Sequence, residues 1–387
     1  MNAPHPAVDL TAYHIVPKPG GGFHFGQRGL EQEASAVTCP ADTLFAALVA
    51  TAADLDGPTG ADAFVGPFAA GVPPYLLTSV FPRVGELCLL PAPMLRAPFE
   101  VGPGRRKLFK QLTFVSPAIF RRWARGDPLD AYVDAGAGKG LFLQDGRIWM
   151  AAGEVAALPD SWGCTLPDDV KRGSRWREWL TTEPGAAWLR ALPIWSSGAI
   201  DRVTIDRVSS ASAVFRIGRT RYAPGCGLWF GVLWPAAPDA DARARLELLL
   251  AVLGDRGLGG ERTVGYGQFE ATPAPEALSM PRAAPGGPAL TLSRYLPRLD
   301  ELPEALRGQA AYRLDAVVGW LGAPGQPARR RRQVRMLAEG SIYTAVGDGP
   351  WGRLVDVRPT GWDAHPVWRW GYACPIGVPA LEEVTHG

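Results

Sequence analysis

The densest chemical signal in the chain is Gly257–Glu270, GLGGERTVGYGQFE, which has five glycines in its first eleven positions and Arg262 among them. Backbone without side chains can turn several amide N–H groups onto one anion. Two nucleotide-binding readings fail on context. A Rossmann fingerprint needs a strand before the glycines and a helix after them. Here a helical stripe, Ala240–Leu253, comes first and a strand-like TVGYGQFE follows. A P-loop ends in Gly-Lys-Ser/Thr, but Arg262 follows Glu261. A helix-ending glycine explains one position and no more. The rest point to backbone approaching a phosphate chain at Gly257, Gly259, Gly260, Gly265 and Gly267, with Arg262 supplying charge.

Three basic segments compete for the same kind of partner. Arg105, Arg106, Lys107 and Lys110 put four cations in six residues, with Phe109 and Phe114 interleaved. That mixture suits RNA, where phosphates give affinity and rings stack on unpaired bases. The plain alternative is a solvated loop. Arg207, Arg216 and Arg219 flank a Ser/Ala-rich tip, Ser209–Ala213, between strand-like runs. The tip has too little apolar surface to pack on a core and is expected to project and be mobile. Val214 and Phe215 are then the bulky pair placed to wedge between nucleotides. The run Arg329–Arg332 with Arg335 reads equally as a nucleic-acid patch or a surface loop.

Catalytic and metal signals are weak. Five cysteines (Cys39, Cys88, Cys164, Cys226, Cys374) are widely spaced, and the five histidines form no HExxH or HxH pair. Neither a disulfide framework nor a zinc site is expected, and no cofactor. His24 is the histidine nearest a candidate RNA surface. Acid–base cleavage usually needs a second positioned group, so packing or hydrogen bonding is its expected role. Asp42 reads as a helix cap.

These residues sit on a chain of 387 residues with 47% hydrophobic and 20% charged side chains, enough for two domains and a real core. Gly and Pro number 46 and 37, favouring short strands and many turns. No apolar run approaches the roughly 18 residues of a membrane span. No basic residue precedes Lys18, so no secretory signal is read. The expectation is a soluble cytoplasmic protein. The net charge of +2 hides an uneven distribution: residues 1–100 carry 4 basic and 9 acidic side chains, residues 101–225 carry 19 and 12, and the remainder 17 of each. A basic middle behind an acidic front suggests a polyanion contact in one place and a protein contact in another.

Period-2 and helical spacing predict strands at Leu10–Val16, Val203–Val208, Val214–Ile217 and Leu228–Trp234. They predict helices over Ala41–Leu55 and Ala240–Leu253, and one starting at Ser116–Pro117. Leu76–Phe81 with Glu86–Leu90, and Leu141–Met150 around Asp145–Gly146, read as hairpins. Ala271–Pro288 lacks apolar periodicity and reads as a linker, followed by short strands at Leu290–Tyr295, Tyr312–Trp320, Ile342–Ala345, Leu354–Val357 and Trp368–Cys374. The expected class is α+β with antiparallel sheets, two ferredoxin-like (RRM-like) domains with insertions. The expected division is residues 1–272 with a basic insertion at about 101–225, a linker at 273–288, and a second domain at 289–387.

A loop of the form GxGGxRxxGxGxxE near the end of such a domain resembles the glycine-rich loop of the RAMP superfamily of CRISPR-associated proteins. HFGQRG (His24–Gly29) followed by Ala41–Leu48 resembles the family's opening strand and first helix. Lys107–Phe120 and Arg202–Tyr222 resemble its central segments, and Glu339–Tyr343 and His365–Val378 its C-terminal signature. Together these are similar to the fourth subunit of the type III-A (Csm) effector complex. The resemblance implies a non-catalytic subunit holding the 5′ repeat-derived tag of the crRNA, between the large polymerase/nuclease subunit and the first backbone RAMP subunit, with no membrane contact. In repeat-cleaving relatives a histidine can act on the ribose 2′-OH, so a repeat-specific endoribonuclease is the second reading and a protein-only adaptor the third.

Overall fold

The computed structural model describes residues 6–26, 34–96, 99, 106–133, 138–171, 175–205, 212–308, 310–323 and 326–380. Its first sheet is built on the strand Ala7–Pro17. Cys226–Leu233 pairs antiparallel with it on one side, from Leu10 opposite Leu233 to Ile15 opposite Leu228. Phe269–Pro273 pairs on the other side, and Phe81–Val84 lies beyond Cys226–Leu233. One helix, Ala41–Ala69, follows the first strand, and another, Ala240–Arg256, follows the third. Numbered along the chain, the four main strands lie in the spatial order 4-1-3-2. That is the ferredoxin-like arrangement, here carrying two helices on one face.

Alternation explains the layers. Tyr13 and Ile15, with Leu228, Phe230 and Val232, face Leu44, Phe45, Leu48, Leu246, Leu249, Leu250 and Leu253 of the helices. Leu10, Ala12 and Trp229 point the other way, into a core shared with the following insertion. Each fully buried leucine in these layers contributes about 2 kcal/mol. The first helix is longer than its apolar stripe predicts and is broken at Gly57–Pro58.

The insertion separates Leu87–Cys88 from Cys226. It contains a four-stranded sheet in the order Leu90–Pro91, Phe114–Val115, Ile148–Ala151, Gly140–Leu143. As its spacing predicts, Asp145–Gly146 turns the last two into a hairpin. Ser116 stands at the start of helix Pro117–Arg125, but its Oγ accepts from the Ala151 N–H (3.3 Å) instead of capping. A hairpin of two eleven-residue strands, Trp195–Ile205 and Ser212–Tyr222, completes the insertion.

Downstream, the stretch read as a linker contains a strand. Leu278–Pro281 pairs with Ala7–Leu10 at the margin of the first sheet, a pairing with no local periodicity to announce it. Pro288–Thr291 then centres a three-stranded antiparallel sheet between Ile342–Thr344 and Pro375–Gly377. Two-stranded ribbons join Leu314–Val317 to Val334–Leu337, and Trp320–Ala323 to Gln326–Arg330. Leu290, Ile342 and Ile376 enter the core shared with the insertion, while Trp370 and Tyr372 enter the helix-side core. Both halves are therefore bound through common apolar clusters. No helix among the described residues is long and apolar enough to cross a membrane.

Candidate nucleic-acid interface

The helix Ala240–Arg256 starts on Asp239, whose carboxylate accepts the Asp241 N–H at 2.9 Å, and ends where the Gly257 N–H donates to the Leu253 carbonyl at 2.7 Å. The glycine-rich loop that follows folds back on Phe23–Gly26. The Gly260 N–H donates to the His24 carbonyl (2.9 Å) and the Gly267 N–H to the Gly22 carbonyl (2.8 Å). A Cβ at Gly259 would lie 2.6 Å from the His24 carbonyl oxygen and 3.1 Å from the Phe25 ring, and one at Gly260 would lie 2.7 Å from His24 Cδ2. Glycine density here thus has an intramolecular cause: the loop lies flat on its own chain. The expected strand TVGYGQFE forms only from Phe269, because Arg262–Val264 make a 3-10 turn.

The same strip holds the foot of the long hairpin. Phe23 bridges to Thr220, and His24 Nδ1 lies 2.8 Å from the Gly218 carbonyl. Arg219 and Arg202 stack over the buried Tyr266 ring at 4.9 and 5.7 Å, and Arg219 also donates to the Gly20 carbonyl. Burial, then Arg221, lowers the Arg219 pKa from the usual arginine value. Arg216 pairs with Asp201 at 2.8 Å on the exposed face. Val214 and Phe215 are exposed further out. Arg207 and most of the Ser209–Ala213 tip lie outside the described residues, as does Arg105.

His24, Gly257, Gly259, Gly260 and Arg262 line one wall of a cleft of about 910 Å³. Small residues of the first helix, Thr43, Ala46 and Ala47, form part of its lining. The other wall comes from the second half of the chain and carries Arg294, Arg313, Arg331 and Arg369. Asp42 is not a cap: Pro40 holds the cap position, and the buried Asp42 carboxylate pairs with Arg294 (3.2 Å) and Arg369. Asp315 lies 3.8 Å from Arg294 and 3.4 Å from Arg313. Burial pulls the Arg294 pKa down, but Asp42, Glu339 and Asp315 outweigh it and hold it above the ordinary value.

A second depression shares Ala36 and Thr38 with the cleft and continues past Thr113, Gln144 and Arg147 to Trp195 and Ser197 at the hairpin foot. The two depressions thus border the same short segment. The short helix Arg106–Gln111 lines neither depression. Its Arg106, Lys107 and Lys110 are exposed. The expectation that the rings of Phe109 and Phe114 stack on bases is corrected: Phe109 packs on Phe99 and Trp149 (4.9 and 5.3 Å), and Phe114 is buried in the strand that follows.

Sequence reading missed the arginine wall. The signal was present in Ser293-Arg294-Tyr295 and Trp368-Arg369-Trp370. A lone charge inside a buried strand pattern is a paired charge. The arginine run divides: Arg331 faces the cleft, while Arg329 and Arg332 donate to the carbonyls of Gly361 (2.8 Å) and Asp356 (2.7 Å). Among the described residues no group of three or more His, Cys, Asp or Glu is placed to hold a metal ion. Burial, then Arg83, pushes the His14 pKa down to about 4, and His14 lines neither depression.

A ferredoxin-like sheet whose last helix runs into a glycine-rich loop, beside a long hairpin and a basic cleft, resembles the arrangement of RAMP-type proteins. Residues 286–378 match the family described as the CRISPR Csm4 C-terminal domain. The chain is 26% identical over 356 residues to the CRISPR system Cms protein Csm4 of Mycobacterium tuberculosis (strain H37Rv), covering 91% of this chain and 93% of that one. It is 29% identical over 180 residues to the Thermococcus onnurineus (strain NA1) protein of the same name, 46% of this chain and 53% of that one. Its fold is that of a chain in the crystal structure of a Csm3-Csm4 subcomplex of a type III-A interference complex, with TM-score 0.61, 16% identity, and 95% and 99% of the two chains covered. The match to a Csm1-Csm4 cassette in complex with pppApA has TM-score 0.52 and 18% identity, covering 97% and 100%. The chain is thus similar to Csm4 proteins along most of its length, and residues 286–378 match their C-terminal domain family.

Proposed function

We propose that this chain is the non-catalytic, crRNA-holding subunit of a cytoplasmic type III-A complex. It grips the 5′ repeat-derived tag and joins the large polymerase/nuclease subunit to the first backbone RAMP subunit. The observation that carries the reading is the cleft walled by the glycine-rich loop on one side and arginines on the other. Relatives of this fold form a Csm3-Csm4 subcomplex and a Csm1-Csm4 cassette, which supports the bridging role. The domain division that accompanies it is 1–272, 273–288 and 289–387.

Local chemistry favours holding over cutting. His24 Nδ1 is engaged with the Gly218 carbonyl, and the cleft carboxylates Asp42 and Asp315 face arginines. A general base with no second positioned acid cleaves RNA poorly. Incubation of the purified protein with labelled repeat RNA is expected to show binding without cleavage. Metal-independent cleavage that disappears in His24→Ala would establish the endoribonuclease reading instead.

A further inference from the structure

We infer that Arg331, Arg369 and Trp320 form a seat for one nucleotide of a single RNA strand, with its phosphate between the two guanidinium groups and its base on the tryptophan ring. The inference rests on the RNA-holding reading and assigns a subsite within it.

Charge pairing along the arginine wall is uneven. Arg294 and Arg369 share the Asp42 carboxylate, and Asp315 lies beside Arg294 and Arg313. Arg331 is different. Among the described residues it makes no ion pair, while its Nε, like those of Arg294 and Arg369, is buried without a hydrogen-bond partner. Burial, then the neighbouring Arg369, lowers its pKa, and Asp42 only partly offsets them. A half-buried guanidinium with a like charge beside it is costly unless an anion completes the site.

Geometry directs that anion. The Arg331 N–H is fixed on the Gly319 carbonyl at 2.9 Å. A Cβ on Gly319 would stand 3.7 Å from Arg331 Cδ and 3.7 Å from Arg369 Nη2, so both side chains border the bare face of one glycine. Two arginine side chains meeting at an open backbone position supply the charge that a phosphate calls for. The next residue, Trp320, is 66% exposed and lines the same cleft. A phosphate held by arginine with a ring alongside is how single-stranded RNA is gripped.

The test uses the full-length protein, fluorescein-labelled single-stranded repeat RNA, and anisotropy titrations across a salt series. Arg331→Gln is expected to weaken binding and flatten the log–log salt slope by about 0.7, the loss of one phosphate contact on a single strand. Its melting temperature should hold or rise, because an uncompensated buried charge is removed. Trp320→Ala is expected to cost about tenfold to a hundredfold with the slope unchanged. Arg332→Gln, whose guanidinium is bonded to the Asp356 carbonyl, should keep the wild-type RNA affinity and salt slope. Wild-type slope and affinity in Arg331→Gln, with RNA still bound, would overturn the seat and leave the RNA reading standing. No RNA binding by wild type would overturn both. Competition by AMP or ATP at micromolar concentration would make this a free-nucleotide site and overturn the assignment to a strand.

Discussion

The two walls of the cleft invert what their sequences suggest. The glycine-rich wall looks built for a ligand, yet Gly259 and Gly260 are held small by His24 and Phe25 of the same chain. The arginine wall has no motif, yet it contains Arg331, a half-buried cation that makes no ion pair among the described residues. Glycine clusters report close approach of backbone to something, and that something can be the protein itself. An uncompensated buried charge is the stronger sign of an absent ligand.

The largest effect follows from this contrast. Gly259 has φ +98°, and its Cβ would meet the His24 carbonyl at 2.6 Å. Gly259→Val combines left-handed strain with overpacking, each about 1–3 kcal/mol. It should lower the melting temperature by many degrees and lose RNA only as a consequence. Gly265 has φ +83° but nothing within 4 Å of its Cβ position. Gly265→Asn, suited to left-handed backbone, should cost about 1 kcal/mol or less. If Gly259→Val melts like wild type yet loses RNA, the glycine wall is a ligand wall after all.

What could be read from the sequence follows interaction range. The alternation of Tyr13 and Ile15, the stripe Leu246–Leu253 and the Asp145–Gly146 turn are local patterns and appear as strand, helix and hairpin. Leu278–Pro281 forms only because Ala7–Leu10 offers a free margin, which no window of neighbouring residues contains. Asp42 looked like a cap because its partner Arg369 is 327 residues away. Phe109 and Phe114 looked like stacking rings because charge surrounds them in sequence, while Trp149 and Trp195 surround them in space.

A second contrast sets the exposed cations of Arg106–Gln111 against the engaged ones of Arg329 and Arg332. We propose phosphate contacts for Arg105, Arg106, Lys107 and Lys110. Replacing all four with alanine should weaken repeat-RNA binding and flatten its salt slope by about 3, at roughly 0.7 per contact. Replacing Arg329 and Arg332 should leave the slope alone and lower thermal stability, since their guanidinium groups tie the ribbon to Gly361 and Asp356. An unchanged slope in the fourfold variant would put the short helix against protein or solvent.

The smallest effect concerns the hairpin. Phe215 lies opposite Arg202 in the ladder, and Val214 lies opposite Val203, so the two apolar residues point to opposite faces. Val214 is 70% exposed and Phe215 37%, so Phe215 keeps more contact with its own domain. We propose that this hairpin lies across the RNA and that Phe215 or Val214 wedges between nucleotides. At about 1–3 kcal/mol per displaced base, Phe215→Ala should weaken RNA binding up to roughly a hundredfold, with the melting temperature little changed. Val214→Ala separates the faces: only the residue that touches a base should alter affinity. A lower melting temperature in Phe215→Ala with RNA affinity intact would make Phe215 an anchor of the hairpin foot, beside Arg202 and Arg219 on Tyr266. The cleft would then bind RNA through its two walls alone.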